Sequence, residues 1–206
     1  MKSIVYYTTN KLNEVIADLA RDSILSSGLP IISCSLEPLN FGKNIVLDLK
    51  PSPATMFKQI LAALDVSEDY VFLCEHDVIY HPSHFDLVPA EDKFYFNTNV
   101  WKWKWGTELC VWTDDLQQLS GMSGSRELLK KFFGERLRKA ENGFDGHYEP
   151  KENTKNYMSV EPNIDIRHDK NTTRSKWAPE DFRNKKYAKG FKQANIKDIW
   201  KKPSGI

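Results

Sequence analysis

Apolar residues fall into two rhythms along this chain. The run Ser3-Ile4-Val5-Tyr6-Tyr7-Thr8-Thr9, rich in β-branched and aromatic residues, stops at Asn10, the pattern of a strand followed by a turn or helix cap. Leu12, Val15, Ile16, Leu19, Ile24 and Leu25 then recur at three- and four-residue spacing, which gathers them into one stripe of a helix, and Gly28 with Pro30 supplies its stop. Ile31-Ile32-Ser33-Cys34 predicts a second strand. A β-α-β opening of this kind favours a parallel sheet with its ligand crevice at the carboxyl ends of the strands.

The rhythm continues. Ile45-Val46-Leu47-Asp48-Leu49 predicts a short extended segment, and Pro51 and Pro53 start a helix whose buried face is Met56, Phe57, Ile60, Leu61 and Leu64. Tyr70-Val71-Phe72-Leu73-Cys74 is almost wholly apolar, as a strand buried on both faces must be, and it runs straight into Glu75-His76-Asp77. Residues 94–101 and 108–112 predict two further strands, joined by a hairpin-like excursion through Trp101-Lys102-Trp103-Lys104-Trp105-Gly106. Ser125 caps a helix carrying Leu128, Leu129, Phe132, Phe133 and Leu137. The polar stretch from Glu141 to Ser159 predicts a loop, and Pro162 to His168 a strand that ends in a histidine. The expected fold class is α/β: one domain with a mainly parallel central sheet flanked by helices.

Composition changes this picture little. Of the 206 residues 40% are hydrophobic and 28% charged, which fits a chain that buries a core without disulfides. Cys34, Cys74 and Cys110 are an odd number in apolar surroundings, which reads as buried thiols in a reducing, cytoplasmic compartment. No run approaches the roughly 18 apolar residues of a membrane span. Charge, however, is unevenly placed. Residues 169–206 hold eleven Lys or Arg against four Asp or Glu, a balance of +7, which leaves −6 for residues 1–168. With Trp177, Phe182, Tyr187, Phe191 and Trp200 interleaved, this tail reads either as a footprint for an anionic partner or as a solvated helical tail packing its aromatics on the body.

Two carboxylates one residue apart at the mouth of a buried strand need a reason, because an apolar strand gains nothing from ending in clustered negative charge. Mg²⁺ or Mn²⁺ bound by oxygen ligands and completed by substrate phosphates supplies one, and Glu75 and Asp77 fit it; acids capping the next turn supply another. Asp114 and Asp115, with Glu108 behind them, are candidates for a general base, or equally for acids at a helix N-terminus. The alternation of Trp101, Trp103 and Trp105 with two lysines puts three indoles on one strand face, as an acceptor platform or as core. His76, His81 and His84 are spaced poorly for zinc. The absence of a Gly-rich phosphate loop argues against a P-loop NTPase or a dinucleotide-binding enzyme.

The stretch YVFLCEHDVIYHP, Tyr70 to Pro82, resembles the signature region of GT-A glycosyltransferases, in which a hydrophobic strand ends in an acid-x-Asp motif. The resemblance spans residues 1–173 in element order, with 174–206 as a basic segment packing on the same domain. It implies that Asp77 binds the metal, that Glu75 contacts ribose or metal, and that His76 lies between them on the nucleotide-sugar side. It also implies that His168 is a further metal ligand, with Arg167, Lys170 and Arg174 beside it to neutralise a leaving diphosphate. The loop Tyr7-Thr8-Thr9-Asn10 would meet the nucleotide, with Tyr7 against the base. Glu75 departs from the commoner Asp at its position. The implied activity is metal-dependent transfer of a sugar from a nucleotide-diphosphate donor, a UDP-sugar first, to a hydroxyl of a saccharide, of a lipid-linked sugar or of a hydroxylated base in DNA, as in phage-type DNA modification. A non-catalytic sugar- or nucleotide-binding module and a nucleotidyl or phosphoryl transferase are the rival readings.

Overall fold

The computed structural model describes residues 1–143, 149–171, 173–183 and 188–200. Twelve strands and four helices follow one another among these residues. The first half holds β1 (Lys2–Thr8), α1 (Glu14–Leu25), β2 (Ile31–Ser35), β3 (Lys43–Val46), α2 (Pro53–Leu64), β4 (Tyr70–Glu75), β5 (Val78–Ile79), β6 (Phe94–Asn97) and β7 (Val100–Lys104). The second holds β8 (Leu109–Trp112), β9 (Met122–Ser125), α3 (Arg126–Glu141), β10 (Thr154–Tyr157), β11 (Asn163–Arg167), β12 (Lys192–Asn195) and α4 (Ile196–Ile199).

Seven strands form the central sheet in the order β10-β6-β9-β4-β1-β2-β3, mainly parallel, with β9 antiparallel to both neighbours. The other five form a smaller sheet, β12-β8-β7-β11-β5. Alternation along β1 sends Val5 and Tyr7 to a core shared with Phe57 and Ile60 of α2 and Leu129 and Phe133 of α3, and Ile4 and Tyr6 to the opposite core with Ile24 of α1, Phe72 and Phe85. A third core, Ile16, Ile79, Cys110, Ile164, Ile166 and Ile196, fixes the small sheet to the edge of α1. No helix among the described residues is long and apolar enough to cross a membrane.

Local chemistry explains the helix starts. Asn13 accepts from Val15 N at α1, Ser52 from Thr55 N at α2 with Pro53 in the first turn, and Ser125 from Leu128 N at α3, each satisfying an otherwise orphaned amide. The α1 stripe differs from expectation: Val15 and Leu25 are exposed, while Ala17 and Ala20 are buried, so small residues let the helix lie close to the sheets.

Three further expectations are corrected. Residues 94–101 are two strands, not one, because Asn97 Oδ1 accepts from Asn99 N and turns the chain from the central sheet into the small one. The segment expected as a loop from Glu141 to Ser159 contains β10, an edge strand parallel to β6; residues 144–148 of that segment lie outside the described ones. Among its described residues the basic tail is not a helical extension: β12 adds to β8 antiparallel, α4 is a single turn, and Trp200 packs 6.2 Å from Trp103. Tyr187 of that tail lies outside the described residues.

Candidate functional site

In the central sheet the chain runs from β1 outward to β2 and β3 on one side and returns as β4 on the other. α1, which follows β1, packs on one face of the sheet and α2, which leads into β4, on the other, so the winding reverses between β1 and β4, where such sheets open a crevice at the carboxyl ends. The register puts Tyr7 directly beside Glu75 there, and the Tyr7 hydroxyl donates to Glu75 Oε1 at 2.7 Å. One position on, Thr8 Oγ1 and His76 Nδ1 are 2.7 Å apart, so His76 ties the two strand ends together instead of merely spacing two acids. Gln59, a buried residue of α2, donates to the carbonyls of Thr8 and Cys34 and caps both strands from below.

Asp77 is 8% exposed. Its Oδ2 lies 3.3 Å from His168 Nε2, ninety-one positions later, and accepts from Asn171 Nδ2 at 2.9 Å. Backbone pairing brings them together, since β11 is antiparallel to β5 and Ile166 N donates to Asp77 O, so the next residues of β11 deliver His168 to the acid. Lys170 N donates to His168 Nδ1, which leaves the ring proton on Nε2, facing Asp77. The 168–171 turn is closed by Asn171 Oδ1 on His168 N and anchored across the crevice by Lys170 Nζ on Lys11 O.

The electrostatics of the two acids diverge. Burial pushes the Glu75 carboxyl up to about 8, reinforced by the Asp77 charge and by Asp165, against the Tyr7 hydrogen bond. Burial also acts to raise Asp77, but the hydrogen bond from His168 and the nearby His76 and Arg167 hold it below the usual carboxylate range. The site therefore carries one firm anion and a second carboxyl that ionises at a cost. Replacing Glu75 with Gln keeps an oxygen for Tyr7 and removes that cost. In EDTA at pH 7.5 Glu75→Gln is expected to melt about 2–5 °C above the parent, roughly 1 kcal/mol of relief; a lower melting temperature would show that the acids do not oppose each other.

Asp77 and His168 are the residues that could hold a divalent cation. Among the described residues no three His, Cys, Asp or Glu side chains are already gathered around a common point. The donor set of Asp77 and His168 instead fits an ion that takes two protein ligands and fills its remaining positions with substrate oxygens and water, the habit of Mg²⁺ and Mn²⁺; His168 Nε2 would ligate with the ring proton moved to Nδ1, at the cost of the Lys170 amide bond.

No known family model and no curated protein matches the sequence. Solved structures similar to it include the following two. A 4-diphosphocytidyl-2C-methyl-D-erythritol synthase from Anaerococcus prevotii aligns over 77% of this chain and 87% of its own, with 11% identity and a TM-score of 0.47. A glycosyltransferase involved in the glycosylation of the major capsid of PBCV-1 aligns over 76% and 81%, with 13% identity and a TM-score of 0.44.

Other residues singled out by sequence lie elsewhere or do other work. Tyr7 is 6% exposed within the core of α2 and α3, so its ring offers no face to a base and its hydroxyl serves Glu75. Thr9 and Asn10 keep partial exposure; Asn10, at φ 60°, accepts from Leu36 N and Glu37 N and pins the β1 loop to the β2–β3 connection. Arg167 is consumed locally, by Asp165 Oδ1, Ser175 Oγ and the carbonyl and hydroxyl of Thr173. Asp114 and Asp115 head no helix. Asp114 packs where a Cβ on Gly190 would come within 2.5 Å of its carboxylate, and Asp115, at φ 53°, accepts from Asn156. Trp101, Trp103 and Trp105 are half-buried against the third core, with Trp103 Nε1 donating to Thr107 O. His81 caps a 3₁₀ turn and His84 is fully buried.

Sequence reasoning missed Asp165, Asn171 and Gln118. Asp165 is 2% exposed, accepts from Gln118 Nε2 at 2.8 Å and adds its charge to the field on Glu75. Its signal was the alternation of Asn163, Asp165 and Arg167 with Ile164 and Ile166. A cavity of about 650 Å³ lined by Leu19, Tyr80, Pro82, Pro162, Ile199 and Trp200 includes none of these acids, and the crevice at the strand ends, with its convergent polar groups, is the stronger candidate for chemistry.

Proposed function

We propose that this protein is a metal-dependent transferase that moves a sugar from a nucleotide-diphosphate sugar, a UDP-sugar, to a hydroxyl acceptor. The observation that carries the reading is the contact between Asp77 and His168 at the carboxyl ends of a parallel sheet, beside a second carboxylate. Glu75-His76-Asp77 also has the form of the acid-x-Asp motif that the sequence resembles. Asp77 and His168 would hold Mn²⁺ or Mg²⁺, which when bound neutralises charge on a leaving diphosphate. Glu75 is oriented by Tyr7 toward the same space, and Thr9 and Asn10 border the nucleotide side. The turn anchored by Lys170 covers the metal ligands and limits water.

The test is thermal stability with UDP, in Mn²⁺ and in EDTA, followed by product analysis with UDP-sugars. Stabilisation by UDP only with Mn²⁺, and release of UDP from a donor, are expected. Absence of any Mn²⁺-dependent nucleotide effect would overturn the metal-donor reading. Release of pyrophosphate from a nucleoside triphosphate, with no UDP from UDP-sugars, would replace it with nucleotidyl transfer.

A further inference from the structure

The small sheet has one apolar and one charged face. Trp101 and Trp103 of β7 and Ile164 and Ile166 of β11 pack into the third core, so Lys102, paired in register with Asp165, points to the other side. Its stem is partly buried, yet its ammonium makes neither a hydrogen bond nor an ion pair among the described residues. Burial lowers its pKa; Asp165 opposes this, and Arg167 and Lys176 push the same way as burial. Lys176 is likewise without a hydrogen bond or ion pair and lies 4.6 Å over the ring of Phe182. Asp165 does not resolve the repulsion, because it already accepts from Gln118 and Arg167. Lys102 stands in register beside Asp165, and Arg167, bound to that carboxylate, also donates to Ser175, the neighbour of Lys176, so three cations meet one carboxylate and neither lysine has a hydrogen bond or ion pair among the described residues.

An unpaired cation held beside another is unfavourable unless something negative joins it. We infer that Lys102 and Lys176 receive a phosphate group belonging to the acceptor. This rests on the transferase reading. In the small sheet β11 separates β7 from β5, the strand that follows Asp77. Lys102 stands two strands from β5 and, by register, opposite Asp165, three residues before His168 along β11, so its backbone lies about 10 Å from both metal ligands. The second substrate is left to supply the anion. Two ammonium groups, being compact point charges, suit a tetrahedral phosphate better than a planar carboxylate, which favours the arginine fork.

The probe is inorganic phosphate, titrated calorimetrically in EDTA so that no metal site contributes. The parent and Asp77→Asn should bind it equally, and Lys102→Met and Lys176→Met should each bind at least tenfold more weakly. Lys104→Met, an exposed lysine on the same strand, should stay within twofold of the parent. Dimethyl phosphate is the second arm: its binding assigns a diester acceptor, its exclusion a monoester. No phosphate binding by the parent, or binding unchanged in both lysine variants, would overturn the inference. Lys176→Met gives an independent reading from a surface segment should Lys102→Met fold poorly. Loss of the Mn²⁺–UDP effect with phosphate binding intact would instead count against the donor reading alone.

Discussion

Asp77→Asn is expected to lower turnover of a UDP-sugar by about 10³-fold or more, the scale of about 4 kcal/mol lost when a group neutralising the leaving charge is removed. The substitution is chosen for its shape. Asn171 Nδ2 and His168 Nε2 both address Asp77 Oδ2, and an amide oxygen at that place still accepts one of them, so the turn over the crevice should persist. The melting temperature in EDTA should move by no more than about 3 °C. Stabilisation by UDP with Mn²⁺ should disappear at the same time, because the amide is a far weaker ligand than the carboxylate. A variant that keeps its Mn²⁺ dependence and more than a tenth of parental turnover would remove Asp77 from the chemistry. His168→Gln separates the two ligands: it leaves the firm anion in place and should weaken Mn²⁺ without abolishing it.

Most elements up to Glu75 were legible because they follow from local causes: strands apolar on both faces, helices capped by Asn13 and Ser52, and prolines where helices begin; β3 is the exception, at Lys43–Val46 and partly exposed where 45–49 was expected. Legibility ends where long-range pairing decides. Thr154-Lys155-Asn156-Tyr157 carries no apolar alternation and is a strand only because its backbone pairs with β6, as polar edge strands do. Residues 94–101 look continuous, and only the bonds made by Asn97 show that the chain changes sheets there. At the site, Glu75-His76-Asp77 was visible as a charge at the end of an apolar run. Its meeting with His168 was not, since no spacing rule reaches across ninety-one residues; the resemblance supplied the expectation and the β5–β11 pairing supplies the geometry. The cations were misjudged for a related reason. Arg167 and Lys170 are close to His168 in sequence, but their donors go to the turn and to Lys11 O, whereas Lys102, distant in sequence, has no hydrogen bond or ion pair among the described residues.

The fold should lose stability in mild acid, and His84 should be a main cause. It is fully buried beneath Phe72, Tyr80 and Phe85, and its Nδ1 lies 3.0 Å from Asn97 Nδ2, 3.1 Å from Asn163 Nδ2 and 3.2 Å from the Tyr157 hydroxyl. Nδ1 is therefore an acceptor for the amides of β6 and β11, the Tyr157 hydroxyl of β10 donates to His84 O beside it, and the histidine joins the central sheet to the strand that carries His168. Burial pushes its pKa down to about 3. A histidine lowered from 6.5 binds no proton in the native state while the unfolded chain does. Its contribution is whole above pH 6.5 and is lost as pH falls toward 3, by about 1.4 kcal/mol per unit. In urea titrations, His84→Leu should be about 2–4 kcal/mol less stable than the parent at pH 7.5, because the Asn97 and Asn163 amides that face Nδ1 lose their shared acceptor. Between pH 6.5 and 5 the variant should lose stability more slowly, by up to about 1.4 kcal/mol per unit, so the two curves converge in acid. Parallel curves would mean that His84 is not the acid-sensitive joint between the sheets. Convergence would tie the placing of His168 to a neutral imidazole on the far end of the same strand.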